Sequence, residues 1–360
     1  MMRSLTAASI MWALAGLQAM AQTPPVEPKL VLVTMDGVRW QEIFRGADPV
    51  IAADARFVEP DLNADVVKPV YLDPTDRPAA LAPFLHGVVA RDGVLYGNDD
   101  IGQCAHVAND MWFSYPGYNE ILTGKADARI VENDDIPNAN VTFLEYLNRR
   151  QDFRDKVTMV GTWTLFPNIV NASRSGIPVN AAFAGRYPTD VLTARYGLQA
   201  IRDHMRVVYI AFGDTDELAH AGDYDQYLQA IERGDDYLRQ LWETLQADPF
   251  YRGQTTLLVT TDHGRGDLAT GAWRDHSAVR YHQLNPTYQP EYNETGVTGS
   301  DKVWFAAIGP SIDPAGETGL AAGGCAQTHQ LAATALTALG LDWQDFASDI
   351  GKPFPVFSKP

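Results

Sequence analysis

The stretch Lys29-Leu-Val-Leu-Val-Thr-Met35, followed by Asp36-Gly37, decides the fold class of this chain. An almost continuously apolar run of this length is typical of a strand that is buried on both faces of a sheet, and Asp-Gly favours a tight turn directly after it. Sheets with two buried faces need helices on both sides. We therefore predict a central parallel strand that ends at Asp36.

The same pattern recurs along the chain. Further short apolar runs that end at polar or turn residues occupy 157–160, 207–212, 255–260 and 303–308. Segments with helical periodicity lie between or after them, at 141–149, 189–204, 224–246 and 329–339. Alternating strands and helices indicate an α/β fold with a largely parallel central sheet and helices on both faces, and such sheets bind ligands beyond the carboxyl ends of their strands.

Two less regular stretches, 46–97 and 264–300, are rich in Pro, Asp, Tyr and Gly. We interpret them as loop insertions that roof the site. No linker composition divides the chain, so 22–360 is predicted to form a single catalytic domain.

Composition excludes several classes of protein. The 360 residues are 46% hydrophobic and 20% charged, which excludes a disordered, collagen-like or coiled-coil chain. The formal net charge of −17 argues against extended binding to nucleic acid or to an anionic membrane. Nucleic acid could still be a substrate at one local site.

The amino terminus has the features of a signal peptide. Arg3 precedes an apolar stretch at 7–17, and Ala19-Met20-Ala21 provides a small-x-small cleavage site. The apolar stretch is shorter than the ~20 residues that a membrane-spanning helix needs. We expect residues 1–21 to be removed after Ala21, which would leave a periplasmic or secreted protein with Cys104 and Cys325 as its two cysteines. The sequence leaves open whether they pair.

Acidic residues follow three of the predicted strands, and histidines accompany two of them. Asp262-His263-Gly264 follows one strand. Asp216 and His220, four residues apart, would lie on one face of a helix, and Asp214 competes with Asp216 for the same role. Asp alone is common in turns and caps, but combined Asp and His ligands suit zinc, whereas a set of oxygen ligands alone would suit calcium or magnesium. His276, a short distance downstream, adds another imidazole.

Ser114 opens the segment Ser114-Tyr-Pro-Gly-Tyr-Asn-Glu-Ile-Leu-Thr-Gly124. It would lie at the start of a short helix, where backbone N–H groups favour an anion such as a phosphoryl group. An ordinary N-cap is the alternative interpretation. The segment lacks the G-x-S-x-G pattern of serine hydrolases.

Five motifs together resemble the alkaline phosphatase superfamily, most closely its bacterial nucleotide pyrophosphatase/phosphodiesterase-like members. The motifs occur in the family's order and lie at 33–39, 114–124, 216–220, 261–264 and 273–276. The resemblance implies a dizinc phosphoric ester hydrolase, a phosphatase or phosphodiesterase, that acts on a small-molecule phosphate ester through a phosphoserine intermediate on Ser114.

The resemblance also implies a ligand set for two Zn²⁺ ions, other divalent ions being alternatives. One ion would be held by Asp216, His220 and His276. The other would be held by Asp36, Asp262 and His263, with Ser114 Oγ as a further ligand and as the nucleophile. His282 and His329 are reserve candidates for the third imidazole.

Substrate contacts are implied at two positions. Asn133 lies where relatives often place an asparagine that contacts a phosphoryl oxygen, with Asn138 and Asn140 as neighbouring candidates, and Lys125 is a second candidate phosphate contact. Four aromatic residues could stack on a flat substrate group or pack in the core; they are Trp112, Tyr115, Tyr118 and Trp163.

Other functions remain open at this stage. Within the superfamily, the alternatives are a phosphonate hydrolase or a phosphomutase. Sulfatase-type relatives need an Arg where Tyr118 stands, which disfavours sulfate esters. Outside the superfamily, the chain could be a non-catalytic exported protein that binds calcium through the acidic segment 214–225.

Overall fold

The computed structural model describes residues 27–181, 189–266, 271–317 and 325–357. The predicted signal peptide at 1–21 lies outside these residues. The strands of the described residues are β1 (Lys29–Met35), β2 (Val94–Tyr96), β3 (Ala105–His106), β4 (Val157–Gly161), β5 (Val179–Ala181), β6 (Val207–Phe212), β7 (Thr255–Thr260), β8 (Phe305–Ile308) and β9 (Ala326–Gln327).

Helices connect these strands. The α-helices of the described residues are α1 (Trp40–Arg45), α2 (Pro49–Ala52), α3 (Pro60–Leu62), α4 (Arg77–Leu81), α5 (Ala90–Asp92), α6 (Ser114–Thr123), α7 (Phe143–Arg149), α8 (Phe166–Ile169), α9 (Ala172–Ser175), α10 (Asp190–Arg202), α11 (Asp214–Ala221), α12 (Tyr224–Ala247), α13 (Val279–Leu284) and α14 (Leu331–Ala338). Residues Asn63–Leu72 and Leu85–Val89 form π-helical turns, and short 3₁₀-helices cover Asp99–Ile101, Ala272–Arg274, Pro290–Tyr292, Thr328–Gln330 and Trp343–Asp345.

The central sheet of the described chain has seven strands in the order β2-β8-β7-β1-β6-β4-β5. Strand β1 lies in the middle and pairs in parallel with both β6 and β7. Strand β8 pairs antiparallel with its neighbours β2 and β7. The prediction of an α/β fold with a largely parallel central sheet is confirmed, and β1 is the central strand that Lys29–Met35 predicts.

Both faces of the sheet are covered, as the apolar run of β1 predicts. Alternate side chains of this strand enter different cores, because successive residues of a strand point to opposite faces. Val31, Val33 and Met35 pack in the core that includes α10 and α12. Leu30 and Leu32 pack in the core on the other face, which includes α6, α7 and α14.

Two expectations about the periphery of the fold need correction. The predicted strand at 303–308 begins at Phe305 because the Val303 N–H donates to the Ala105 carbonyl, at 2.9 Å, instead of joining the main ladder. The stretch 46–97 is largely helical and packs beside α12, where the Asp235 carboxylate accepts the N–H groups of Phe84 and Leu85 at 2.7 and 2.9 Å. It therefore belongs to the core of one face and does not roof the site.

Cys104 and Cys325 form a disulfide, which the sequence left open. Their Cα atoms are 4.6 Å apart, within the range that a disulfide requires. The bond lies beside the pairing of β3 with β9 and joins positions 221 residues apart. It ties the segment before α6 to the segment before α14. Among the described residues, no helix is long and apolar enough to cross a membrane.

Candidate metal centre

Three neighbouring parallel strands end at the same edge of the sheet, and each is followed by candidate ligands. Asp36 comes directly after β1, and Asp262 follows β7 by two residues. Helix α11, which carries Asp216, begins two residues after β6. Because β7, β1 and β6 are adjacent and parallel, these carboxylates converge. The fold therefore assembles the site at the position where α/β sheets bind ligands.

Asp36, Asp262 and His263, together called site A, surround one point beside Ser114. The Nε2 atom of His263 lies 3.3 Å from Asp36 Oδ1, 3.4 Å from Asp262 Oδ2 and 3.4 Å from Ser114 Oγ. Ligands bound at about 2.0–2.1 Å to a tetrahedral Zn²⁺ lie about 3.3–3.4 Å from one another. The three distances therefore match the edges of such a coordination shell.

Asp216, His220 and His276, together called site B, form a second group. The Nε2 atoms of His220 and His276 are 3.0 Å apart, and Asp216 Oδ2 lies 3.5 Å from His220 Nε2. Asp216 and His220 share one face of α11, as their spacing predicts. The imidazole rings of His276 and His263 have centroids 4.0 Å apart, so site B directly adjoins site A.

Each carboxylate of site A has one buried oxygen without a hydrogen-bond donor. Asp36 Oδ1 and Asp262 Oδ2 are buried and accept no hydrogen bond. Burial raises the pKa of both groups, and repulsion by Asp216 at Asp36 and by Asp36 at Asp262 raises them further. Buried carboxylate oxygens without donors are costly, and a divalent cation offsets that cost. The residues of site A therefore fit a divalent metal ion.

The imidazoles of site B are suited to bind metal without losing a proton. Burial lowers the pKa of His276 well below its usual value, and the neighbouring charges of His263 and His220 lower it further. Burial also lowers the pKa of His220, against the opposing effect of Asp216. Both rings are therefore neutral at pH 7, which is the form that coordinates metals.

His263 differs from these two rings, and its protonation predicts how metal binding depends on pH. Burial alone would lower its pKa, but Asp262, Asp36 and Asp216 outweigh that effect and raise the pKa to about 9. A proton on Nε2 competes with a metal ion, so binding at site A should release a proton below about pH 9. We expect the affinity of site A to rise by up to ~10-fold per pH unit between pH 7 and 9 and to level off above.

Isothermal titration calorimetry checks this expectation. Zinc is titrated into metal-depleted protein at pH 7.5 in buffers with different ionisation enthalpies, which reports the number of protons released. Release of about one proton or more per chain is expected. Zinc binding without proton release, and with the same affinity at pH 7 and pH 9, would contradict the assignment of His263 as a ligand.

Ser114 is held at the first turn of α6 by a constrained segment. Trp112 has a φ of 56°, in the left-handed region that larger residues rarely adopt. The Asn109 side chain accepts the N–H groups of Met111 and Trp112, at 3.0 and 2.9 Å. Glu120 of α6 in turn accepts the N–H of Asn109, at 2.7 Å. This network fixes the chain just before the serine.

Backbone carbonyl groups orient the imidazole rings of His263 and His276 through their Nδ1 atoms. His263 Nδ1 lies 2.8 Å from the Gly264 carbonyl oxygen, and His276 Nδ1 lies 3.3 Å from that of Trp112. A carbonyl only accepts, so Nδ1 carries the proton and Nε2 faces the site. Tyr118 donates to Asp36 Oδ2, at 2.8 Å, which leaves Oδ1 directed to His263.

An open cavity of about 280 Å³ lies over site B. Its lining includes His220, His276, Asn133, Asp275 and Tyr281. The stretch 264–300 supplies several of these walls, as predicted for a roof.

The structure places Asn133 at the site and the other asparagines away from it. Asn133 lines the cavity, and its Oδ1 accepts the N–H of Tyr115, at 3.0 Å. Asn138 and Asn140 instead donate to the side chain of Asn119, at 3.1 and 3.0 Å. These two residues support the carboxyl end of α6 and are not candidate substrate contacts.

Lys125 requires a correction. It follows the carboxyl end of α6, the opposite end from Ser114, and its Nζ pairs with Asp349 at 2.9 Å. A helix of ten residues is about 15 Å long, so Lys125 is too distant to contact a phosphoryl group at Ser114. The prediction of a phosphate contact at this position is wrong for this structure.

The reserve ligand candidates also lie outside the two sites. His282 Nε2 bonds with Ser277 Oγ, at 2.8 Å. His329 lies in the 3₁₀-helix Thr328–Gln330, packed against Gly351. The Asp214 carboxylate accepts the N–H and hydroxyl of Thr189, at 2.9 and 2.6 Å. His263 and His276, 13 residues apart in the sequence, thus come together without any of these residues.

Sequence reasoning missed Arg265 and left open whether the aromatic residues contact the substrate or pack in the core. Arg265 is buried and contacts Asp216, and the only sequence signal was an Arg between glycines directly after Asp262-His263. Tyr118 is fully buried and donates to Asp36, and Trp163 packs against it. Both aromatic residues serve the core and ligand orientation.

The fold and the two adjacent groups of Asp and His residues are the features expected of a metalloenzyme. A sequence model described as "Metalloenzyme superfamily" matches residues 123–288. The 2,3-bisphosphoglycerate-independent phosphoglycerate mutase of Haloquadratum walsbyi is 30% identical over 110 residues, which are 29% of this chain. The chain spans only 20% of that mutase.

Solved structures share the fold. A protein in the alkaline phosphatase superfamily from Vibrio parahaemolyticus superposes with a TM-score of 0.51 at 12% identity, over 88% of this chain and 67% of the other. Murine ectonucleotide pyrophosphatase/phosphodiesterase 5, in complex with AMP, has a TM-score of 0.52 at 14% identity, over 88% and 96% of the two chains. The chain thus has the fold of structures in the alkaline phosphatase superfamily and carries a match to the metalloenzyme superfamily model, in agreement with the resemblance of its five motifs.

Proposed function

We propose that the chain is a phosphoric ester hydrolase that binds Zn²⁺ at sites A and B and uses Ser114 as its nucleophile. The observation that supports this most strongly is the position of Ser114 Oγ, 3.4 Å from the Nε2 atom of the site A histidine. His263 and His276 place the two sites in direct contact. A hydroxyl beside two such sites suits in-line phosphoryl transfer.

The residues of the chain supply the parts that this reaction needs. Bound zinc ions would lower the pKa of the Ser114 hydroxyl and stabilise the charge that develops on the attacking and leaving oxygens. Ser114 Oγ attacks phosphorus, its proton passes to solvent, and the ester oxygen leaves with its electron pair, which gives a phosphoserine. Water then attacks the phosphoserine, which releases phosphate or a phosphate monoester and restores the serine.

The first turn of α6 and Asn133 suit the non-bridging oxygens of the substrate. Ser114 begins this ten-residue helix, whose dipole favours an anion at that end. Asn133 accepts the Tyr115 N–H through Oδ1, so its Nδ2 group remains available as a donor to an oxygen in the cavity. Both features stabilise a negative charge next to Ser114.

The charge of the cavity favours a diester over a monoester. Among the described residues that line it, none is Lys or Arg, and Glu132 and Asp275 are acidic. A monoester carries close to two negative charges at neutral pH and needs compensating cations, whereas a diester carries one. The likeness to a nucleotide pyrophosphatase/phosphodiesterase fold is consistent with this preference.

Comparison of two chromogenic substrates tests the preference. With zinc-loaded protein, we expect kcat/KM for bis-p-nitrophenyl phosphate to exceed that for p-nitrophenyl phosphate by ~10-fold or more, since one unmatched charge in a partly desolvated site costs more than ~1.4 kcal/mol. p-Nitrophenyl sulfate is the control and should turn over slowest. Faster hydrolysis of the monoester would contradict the diester assignment, and faster hydrolysis of the sulfate would contradict the phosphoric ester assignment.

A phosphomutase or phosphonate hydrolase is the second candidate, which the local match to a mutase favours. A mutase transfers the phosphoryl group to an acceptor alcohol, whereas a hydrolase releases it to water. Product analysis in the presence of added alcohols distinguishes them. A calcium-binding role is disfavoured because the two sites contain three imidazoles, which calcium does not prefer.

We further propose that the protein is exported to the periplasm or secreted. The leader-like residues 1–21 support export, and the Cys104–Cys325 disulfide suits an oxidising compartment. Amino-terminal sequencing of protein recovered from the periplasm or medium should begin at Gln22. Recovery of the full-length chain from the cytoplasm alone would contradict export.

A further inference from the structure

Arg265 lies buried between the two sites, where only 1% of its surface is exposed. Its Nε donates to the Gly37 carbonyl, at 3.0 Å, and its Nη1 donates to the Arg274 carbonyl, at 2.5 Å. Its Nη2 donates to the Asp216 carbonyl, at 3.1 Å, and to Asp216 Oδ1 in a close ion pair. All three nitrogens of the guanidinium group therefore donate hydrogen bonds to oxygen atoms of the chain.

Those acceptors belong to the segments that carry the metal ligands. Gly37 directly follows Asp36 of site A, and Arg274 precedes His276 of site B by two residues. Arg265 itself follows His263 by two residues. One buried side chain therefore links the ligand-bearing segments of both sites.

The two oxygens of Asp216 have different surroundings. Oδ1 pairs with Arg265 and lies 3.8 Å from His276 Nε2 and 3.9 Å from His263 Nε2. Oδ2 lies nearer to a ligand of its own site, 3.5 Å from His220 Nε2. The ion pair therefore occupies the oxygen between the sites and leaves the other oxygen for site B.

We propose that Arg265 is a positioning residue for site B. Its ion pair with Asp216 Oδ1 orients the carboxylate so that Oδ2 lies beside His220 and faces a bound metal ion. This inference rests on the proposed function, in which site B binds a metal. Arg265 does not contact substrate in this proposal. Asp216 is the proposed metal ligand that it contacts.

The backbone around Arg265 is shaped to allow this contact. Gly37 has a φ of 60°, and a Cβ added there would lie 2.8 Å from Arg265 Nε and 2.9 Å from Asp216 Oδ1. A Cβ on Gly266 would lie 2.4 Å from the Ala272 carbonyl oxygen. Only glycine permits these approaches. A lysine could supply the charge of Arg265 but not its planar set of donors, so the two residues are not equivalent here.

The test is the zinc affinity of Arg265→Lys, which keeps the positive charge and loses the directed donors. Arg239→Lys is the matched control, because Arg239 forms surface ion pairs with Asp236 and Glu243 on α12. Zinc is titrated into metal-depleted proteins in competition with a chromogenic chelator, and Co²⁺ absorption spectra report the coordination of each site. Loss of a hydrogen bond that orients a metal-binding side chain typically weakens metal binding ~10–100-fold.

We expect Arg265→Lys to weaken one of the two zinc sites by this factor of ~10–100 and to alter one Co²⁺ spectrum, while Arg239→Lys matches the wild type. Arg265→Gln, a second variant, should weaken the same site. If both Arg265 variants bind two zinc ions as the wild type does, the inference is overturned while the proposed function stands. If the metal-free variants lose cooperative unfolding, Arg265 serves the fold itself and the inference is likewise overturned. A wild-type protein that binds no zinc would overturn the proposed function first.

Discussion

Replacement of Ser114 by alanine should abolish turnover while leaving the metal sites filled. We expect kcat for bis-p-nitrophenyl phosphate to fall by ~10³-fold or more, equivalent to at least ~4 kcal/mol of lost transition-state stabilisation, because no other hydroxyl replaces the nucleophile. Ser114 Oγ lies 3.4 Å from His263 Nε2. Stopped-flow and steady-state assays with the zinc-loaded variant measure the loss.

The metal content of Ser114→Ala separates a lost nucleophile from a lost site. Asp36, Asp262 and His263 still provide three ligands at site A, so the variant should retain most of its zinc. Ser175→Ala is the matched control, since Ser175 is buried in α9, away from the site, and should keep full activity. Activity of Ser114→Ala within 10-fold of the wild type would contradict a phosphoserine mechanism.

Replacement of Asp262 by asparagine should remove the metal from site A with little change in shape. Asp262 Oδ1 accepts the Gly37 N–H, at 3.1 Å, and the amide oxygen of asparagine can keep that bond. The amide nitrogen then takes the place of Oδ2, which faces His263 Nε2 at 3.4 Å. An amide nitrogen does not bind zinc, so we expect loss of one zinc per chain and a fall in kcat of ~10³-fold or more.

The same variant should be more stable than the wild type once metal has been removed. Burial raises the pKa of Asp262 well above its usual range, and repulsion by Asp36 raises it further, so the wild-type carboxylate is unfavourable without a cation. The neutral asparagine avoids that cost. Thermal unfolding with and without zinc checks both effects, with Asp235→Asn as a buried control that lies beside α4 and outside both sites. A metal-free Asp262→Asn protein that is less stable than the metal-free wild type would contradict this interpretation.

The sequence predicted the centre of the fold better than its periphery. Long apolar runs such as Val207–Phe212 and Thr255–Thr260 match β6 and β7, because strands buried on both faces carry a strong local signal. Strands β2 and β5 are only three residues long and were not predicted. The short helices within 46–97 were also missed, since π-turns and prolines interrupt the helical period there.

The candidate ligands could be found from sequence because each lies next to a strand end or within one helical turn of another ligand. Asp262 and His263 are consecutive, and Asp216 and His220 are four apart. Contacts between segments that are distant in the chain could not be predicted from the sequence. The position of Lys125 depends on the length of α6, and the pairing of Arg265 with Asp216 depends on how β6 and β7 flank β1.

The zinc stoichiometry of the purified wild-type chain and of two histidine variants is the most direct measurement of the proposed dizinc centre. Proteins are depleted with chelator, dialysed against zinc, and analysed by inductively coupled plasma mass spectrometry. His263→Ala and His220→Ala each remove a candidate ligand from a different site. We predict about two zinc ions per wild-type chain and about one in each variant, as expected for two separate ligand sets. A wild-type chain that retains no zinc, or variants that retain as much as the wild type, would contradict the assignment of these residues to two metal sites.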